Sequence, residues 1–157
     1  MKATNTWCAL GLGSNLGIRA AYLQAAINAL SQVPGLANLE QAPTYETAPL
    51  DCPDGAPPFL NTVVQARYTG DVFDLLTHTQ AIEDQLGRER SGTRNEARVV
   101  DIDLLIVEGI SLNSSPLTLP HPRMEERLFV LQPLADLRPE LILPSGISIQ
   151  ERLEQLR

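Results

Sequence analysis

The sequence predicts an α+β fold, an antiparallel sheet with two helices packed on one of its faces. Three observations carry this. Short apolar runs with strand character alternate with two segments of helical periodicity, in the order strand, helix, strand, strand, helix, strand. Proline and glycine clusters punctuate the joins. The 157 residues, 43% hydrophobic and 20% charged, have the composition of an ordinary globular chain, so residues 1–157 read as one domain with room for a real core.

Trp7 to Leu12 is expected to form the first strand, and Gly13-Ser14-Asn15-Leu16-Gly17 a turn into a helix over about 18–32. Leu23, Ile27, Leu30 and Val33 fall on one side of that helix, and Pro34-Gly35 ends it. A second strand spans 36–46, interrupted at Pro43. Residues 47–58 hold four prolines and one glycine and read as a long loop. Phe59 to Tyr68 is the third strand. Asp71 suits the N-cap of a second helix, whose inner side carries Val72, Leu75, Leu76, Thr79, Ile82 and Leu86, with Gly87 at its C-terminal stop. A charged loop over 88–98 precedes a fourth strand, 98–107. Glu108-Gly109 then turns the chain, and Ile110 to Leu112 is expected to return as a hairpin partner. The tail from Pro116 should hold short helical pieces near 123–127 and 133–137. This order of split β-α-β units predicts a ferredoxin-like α/β sandwich with a βαββαβ core, extra C-terminal elements, and the second sheet face left free for loops and a ligand.

The fourth strand carries the chemistry. Val100, Ile102, Leu104 and Ile106 alternate onto one face, which places Asp101 and Asp103 together on the other, with Cβ atoms ~7 Å apart. Two carboxylates inside an apolar strand are costly unless neutralised. Oxygen-only ligands suit Mg²⁺, which takes one or two carboxylates and completes its shell with water and substrate phosphates. Immediately upstream, Arg88, Arg90, Arg94 and Arg98 are concentrated in a chain with only 12 Lys+Arg, and guanidinium forks match phosphate oxygens. A plain solvated loop pairing with Glu89 and Glu96 is the alternative for the arginines, and two wetted acids on an open face the alternative for the aspartates. His121, between Pro120 and Pro122, is a held imidazole able to donate to a phosphate, to serve in proton transfer or to play a structural role. Phe59 and Asn61 share one strand face, where a ring and an amide can stack on a flat heterocycle and read its edge, or simply belong to the core. Gly13 permits either a plain turn or a close backbone approach to a ligand.

A formal net charge of -7 argues against a general nucleic-acid binder. Cys8 and Cys52 suggest neither a disulfide scaffold nor a metal knuckle. The N-terminal apolar run breaks at Gly11, too early for a signal peptide or a membrane span. A soluble cytoplasmic monomer with small-molecule partners, no nucleic acid and no membrane is the expectation.

Taken in order, these residues resemble the 6-hydroxymethyl-7,8-dihydropterin pyrophosphokinase family of folate biosynthesis. Gly13-Ser14-Asn15-Leu16 resembles its opening turn, Tyr45-Glu46-Thr47-Ala48-Pro49-Leu50 its Tyr-x-Thr-x-Pro-Leu loop, and Phe59-Leu60-Asn61 its aromatic-Leu-Asn strand. Gln80-Ala81-Ile82-Glu83 with Gly87-Arg88-Glu89-Arg90 resembles its helix end, and Arg98-Val99-Val100-Asp101-Ile102-Asp103 its Arg-Thr-x-Asp-x-Asp motif. Leu117-Thr118-Leu119-Pro120-His121 and the run from Arg127 to Leu134 resemble its last two motifs.

The resemblance implies a ferredoxin-like fold and transfer of pyrophosphate from ATP to the pterin hydroxymethyl group, releasing AMP, with two Mg²⁺ ions. It implies that Asp101 and Asp103 hold both ions and that Arg88 and Arg98 stabilise the transferring group. Gln80, Glu83, Arg90, Leu104, Thr118, His121 and Arg127 would line the ATP site. Thr47, Leu50, Phe59, Asn61 and Phe129 would frame the pterin, with the two phenylalanines sandwiching its ring. Where the family carries Arg-Trp-Gly-Pro-Arg-Thr, this chain reads Arg94-Asn95-Glu96-Ala97-Arg98-Val99. That departure brings two further expectations: a modified pterin as acceptor, or a catalytically impaired pterin- or nucleotide-binding protein.

Overall fold

The computed structural model describes residues 1–15, 17–47, 58–87 and 99–157. Five strands make one antiparallel sheet: β1 (Lys2–Ser14), β2 (Leu36–Gln41), β3 (Tyr45–Thr47), β4 (Phe59–Asp71) and β5 (Asp101–Val107). Their order is β2-β4-β1-β5, with β3 pairing on the same edge of β4 as β2. This is the ferredoxin-like arrangement the sequence predicts. Pro43 divides the expected second strand into β2 and β3, as a residue without an N–H donor must.

Helices α1 (Arg19–Leu30) and α2 (Val72–Gly87) pack on one face. Leu23, Ala26 and Leu30 of α1, and Val72, Leu75 and Ile82 of α2, close over Cys8, Leu10 and Leu12 of β1, Val64, Ala66 and Tyr68 of β4, and Ile102 and Leu104 of β5. Burying each large side chain here contributes about 1.5–3 kcal/mol. Asp71 does cap α2: its Oδ1 accepts from the Phe73 N–H at 2.8 Å, and that bond, foremost, lowers its pKa.

The second face differs from the expectation. It is not left free: α3 (Leu128–Leu137) and α4 (Ile149–Leu156) cover part of it. Val130, Leu131, Leu134, Ile149 and Leu153 form a second core with Trp7, Ala9, Val63 and Leu105. Those outward strand residues are apolar, so leaving them wet would waste the burial that α3 and α4 provide. Trp7 is tied down on both sides. Its Nε1 donates to Gln65 Oε1 at 2.9 Å, and the Arg138 guanidinium lies 4.3 Å from its ring centroid.

Two further expectations are corrected. Ile106 does not share the face of Ile102 and Leu104, because a bulge at Leu105 breaks the pairing between Leu10↔Leu104 and Ala9↔Ile106. Beyond it Ile106 packs with the second core and Val107 joins the first. The hairpin after Gly109 does not return along β5. The turn forms, with Ile110 N–H donating to Val107 O at 2.9 Å. The chain then pairs β6 (Leu112–Asn113) with β7 (Thr118–Leu119) in a separate two-stranded ribbon, and Ile110 and Leu112 pack against the first core. The tail holds a 3-10 turn at Met124–Glu126 before α3. No helix among the described residues is long and apolar enough to cross a membrane.

Candidate active site

Beside α3 and α4, the second face opens into a cavity of about 750 Å³, within the range of small-molecule sites. Strand register builds its floor. Gly13 pairs with Asn61 on one side and Asp101 on the other, and Gly11 pairs with Val63 and Asp103. Directly opposed residues in an antiparallel sheet share a face, so Asn61 and Asp101 flank a trough whose middle has no side chain. Phe59 and Thr47 line one end, and Arg123, Glu126, Arg127, Leu128 and Phe129 the wall opposite the sheet.

Gly13 is required by close approach. A Cβ there would stand 2.7 Å from Asn61 Oδ1, closer than any real Cβ contact. Asn61 is only 6% exposed, and its Nδ2 donates to Thr47 Oγ1 at 2.7 Å. That bond fixes which way the amide points and leaves Oδ1 turned toward the trough as an acceptor. Phe129, the second residue of α3, reaches the cavity from the other side, with the Arg127 guanidinium 5.5 Å from its ring centroid.

Asp101 is half-buried and Asp103 exposed, both on the cavity. Among the described residues no group of three or more His, Cys, Asp or Glu side chains forms a self-sufficient metal cage. Two carboxylates at alternate strand positions fit Mg²⁺, which takes one or two and relies on phosphates and water for the rest.

The residues expected around ATP are dispersed over the adjoining surface. Glu83 Oε2 accepts from the Ile102 backbone N–H at 2.7 Å, tying α2 to the strand between the two aspartates. Gln80 is exposed one turn earlier on α2. The Leu104 side chain is buried in the helix-side core, so only its backbone could meet a ligand. Thr118 is half-buried in β7. His121 is held beside β5: its backbone N–H donates to Leu105 O at 2.7 Å and its Nδ1 accepts from the Arg123 N–H at 3.1 Å. Burial lowers the His121 pKa below 6.5, the Asp103 carboxylate opposes this, and the charges of Arg127 and Arg123 add to the lowering.

Leu50, Arg88, Arg90 and Arg98, with Arg94 and the Asn95-Glu96-Ala97 departure, lie outside the described residues. Arg123 is a cavity residue that sequence reasoning missed. Its signal was a cation two residues beyond the held His121. A smaller cavity of about 340 Å³, between β3, α3 and α4, holds none of the expected residues.

Residues 9–139 match the family model described as 7,8-dihydro-6-hydroxymethylpterin-pyrophosphokinase. The chain belongs to that family. It is 41% identical over 128 residues to the 2-amino-4-hydroxy-6-hydroxymethyldihydropteridine pyrophosphokinase of Bacillus subtilis, covering 82% of this chain and 75% of that one. With the enzyme of the same name from Methylorubrum extorquens it shares 39% identity over 147 residues, covering 94% and 91%. A solved Plasmodium falciparum HPPK-DHPS structure, with pterin and p-hydroxybenzoate, superposes with a TM-score of 0.70 at 15% identity. That match covers 98% of this chain but only 43% of the other, and it speaks to the fold alone. The family reaction is pyrophosphate transfer to hydroxymethyldihydropterin, a step of folate biosynthesis.

Proposed function

We propose that this chain carries out the family reaction as an ATP- and Mg²⁺-dependent pyrophosphokinase, and that the trough between Asn61 and Asp101 is where the two substrates meet. The observation that carries the reading is the shared floor. One glycine separates an amide able to read a flat heterocycle from a carboxylate pair suited to a phosphate-bound cation.

The pterin ring lies between Phe59 and Phe129, with Asn61 Oδ1 accepting from its polar edge and Thr47 holding the amide in place. Its hydroxymethyl oxygen then points along the trough toward Asp101. That oxygen attacks the β-phosphorus of ATP, a new P–O bond forms, the bond to the α,β-bridging oxygen breaks, AMP leaves with that bond's electron pair, and the hydroxyl proton passes to solvent. Two Mg²⁺ ions held by Asp101 and Asp103 supply charge neutralisation and alignment of the phosphates when bound. Arg123 and Arg127 on the cavity wall add positive charge, with Arg88 and Arg98 assigned the same work by resemblance. Gln80, Glu83, Arg90, Leu104 and Thr118 form the nucleotide side of the site. His121, neutral near pH 7 and accepting at Nδ1, carries its proton on Nε2, where it can donate to a phosphate oxygen. No covalent nucleophile is required, so catalysis is positioning plus electrostatics.

The connected sheet supports reading residues 1–157 as one pyrophosphokinase domain. The test is incubation with ATP, Mg²⁺ and 6-hydroxymethyl-7,8-dihydropterin. AMP and the pterin diphosphate should appear in equal amounts. AMP that appears without pterin, or not at all, would reject the assignment.

A further inference from the structure

The three residues of β3 are each bonded by their side chains to a different element. Tyr45 donates its hydroxyl to Asp136 on α3. Thr47 accepts from Asn61 on β4. Glu46 accepts from Arg19, the first residue of α1, with Nη2 2.7 Å from its Oε2. The other arm of the same guanidinium, Nη1, donates to the Pro58 carbonyl at 2.8 Å. Glu46 immediately precedes Thr47, and Pro58 immediately precedes Phe59. One side chain therefore links two residues, each the neighbour of a cavity-lining group.

Nothing in α1 itself explains an arginine there. A cation in the first turn opposes the helix dipole, which favours acids at that end, and the first turn contains no acid. The preceding Ile18 makes no capping hydrogen bond and is 75% exposed. The helix start is thus poorly built for helix stability, yet Arg19 is only partly exposed and spends two donors outside the helix. A planar fork holding two acceptors at fixed separation is what arginine does and lysine cannot.

We propose that Arg19 is a positioning residue of the pterin site: it braces the end of the β3–β4 ladder where Thr47 pairs with Phe59, and so the fit of the heterocycle, without touching either substrate. The inference rests on the pterin assignment above. Its consequence is selective. Removing the guanidinium loosens the ring-binding end of the trough and leaves the aspartate and arginine end as it was.

The experiment compares wild type, Arg19→Ala, Arg19→Lys, Glu46→Ala and the Arg19→Ala/Glu46→Ala double variant in the AMP-release assay, with KM measured separately for pterin and ATP. Arg19→Ala should raise the pterin KM about tenfold, with the ATP KM within about twofold of wild type. Arg19→Lys should recover part of the loss. The double variant should lose less than the product of the two single effects, because both remove one shared contact. The melting temperature should stay within about 2 °C of wild type for Glu46→Ala, whose side chain is exposed, and fall by no more than about 4 °C for Arg19→Ala, which also gives up the part-buried bond to Pro58. A pterin KM unchanged in Arg19→Ala overturns the proposal. So does a parallel rise in both KM values with a larger fall in melting temperature, the mark of a merely structural role. A wild-type chain that releases no AMP overturns the functional assignment instead, and this inference with it.

Discussion

Gly13→Ala places one methyl group at the most sensitive point of the trough. The new carbon would stand 2.7 Å from Asn61 Oδ1, where ordinary contact begins near 3.4 Å, a shortfall of 3.4 − 2.7 = 0.7 Å. The amide cannot simply withdraw. β3 lies on the far side of β4 from β1, and Thr47 Oγ1 already sits 2.7 Å behind Nδ2. A shift of 0.7 Å toward it would bring the pair to 2.0 Å, so the amide must rotate away and the Thr47 bond must break. Losing a hydrogen bond on a buried polar group costs about 1–3 kcal/mol, which is about 5- to 150-fold in pterin affinity. The fold loses the same bond, and the gain of about 0.5–1 kcal/mol for alanine over glycine in a strand offsets only part of that cost.

Gly11 supplies the comparison. It occupies the same strand and face, but the atoms a Cβ there would first meet belong to the Leu105 side chain, the nearest at 3.5 Å, an ordinary contact. Gly11→Ala should therefore melt at or slightly above the wild-type temperature. The measurements are pterin binding by titration calorimetry and thermal melts for both variants. A Gly13→Ala protein that binds pterin within about twofold of wild type would show that Asn61 is not braced as described, and the account of the trough would fall.

Asp101→Asn should cut AMP release by about 10²–10³-fold while leaving a normal melt; near-normal turnover at saturating Mg²⁺ would remove the carboxylates from the chemistry. His121 has a folded pKa below its ordinary 6.5, so the unfolded chain binds more protons in the window beneath that value. Stability should be unaffected above pH 6.5 and fall as pH drops through the window; chemical denaturation from pH 7 downward checks this, and His121→Gln should flatten the slope. Ser148 accepts from the Glu151 N–H at 3.1 Å at the start of α4, so Ser148→Ala should cost about 1 kcal/mol, seen as a melting temperature about 2–4 °C lower.

The helix-side core was readable because its cues agree. The spacing of Val72, Leu75, Thr79 and Ile82, with Asp71 before and Gly87 after, admits little but an amphipathic helix. The second face was harder. The run from Trp7 to Leu12 is apolar at both parities, which marks a strand covered on both sides, and that signal points to a second helical layer. The Ser-x-x-Glu pattern at Ser148–Glu151, with Ile149 and Leu153 following, is the cue for α4. The bulge at Leu105 left no trace in composition, because alternating Val, Ile and Leu look alike on either side of a register shift. Within the site, Asp101 and Asp103 were placed on one face by period alone. Their register opposite Gly13 and Gly11, and hence their meeting with Asn61, depends on strand pairing that no local pattern specifies. Arg19 lies at one end of a helix and acts on two residues distant in sequence, which only the folded chain brings together.

The chain contains a single tryptophan, and it is Trp7, locked under α3 between an amide and a guanidinium. Phe129 belongs to that same helix. A shift of α3 on ligand entry would therefore disturb the packing of the one indole in the sequence, and its emission would change with it.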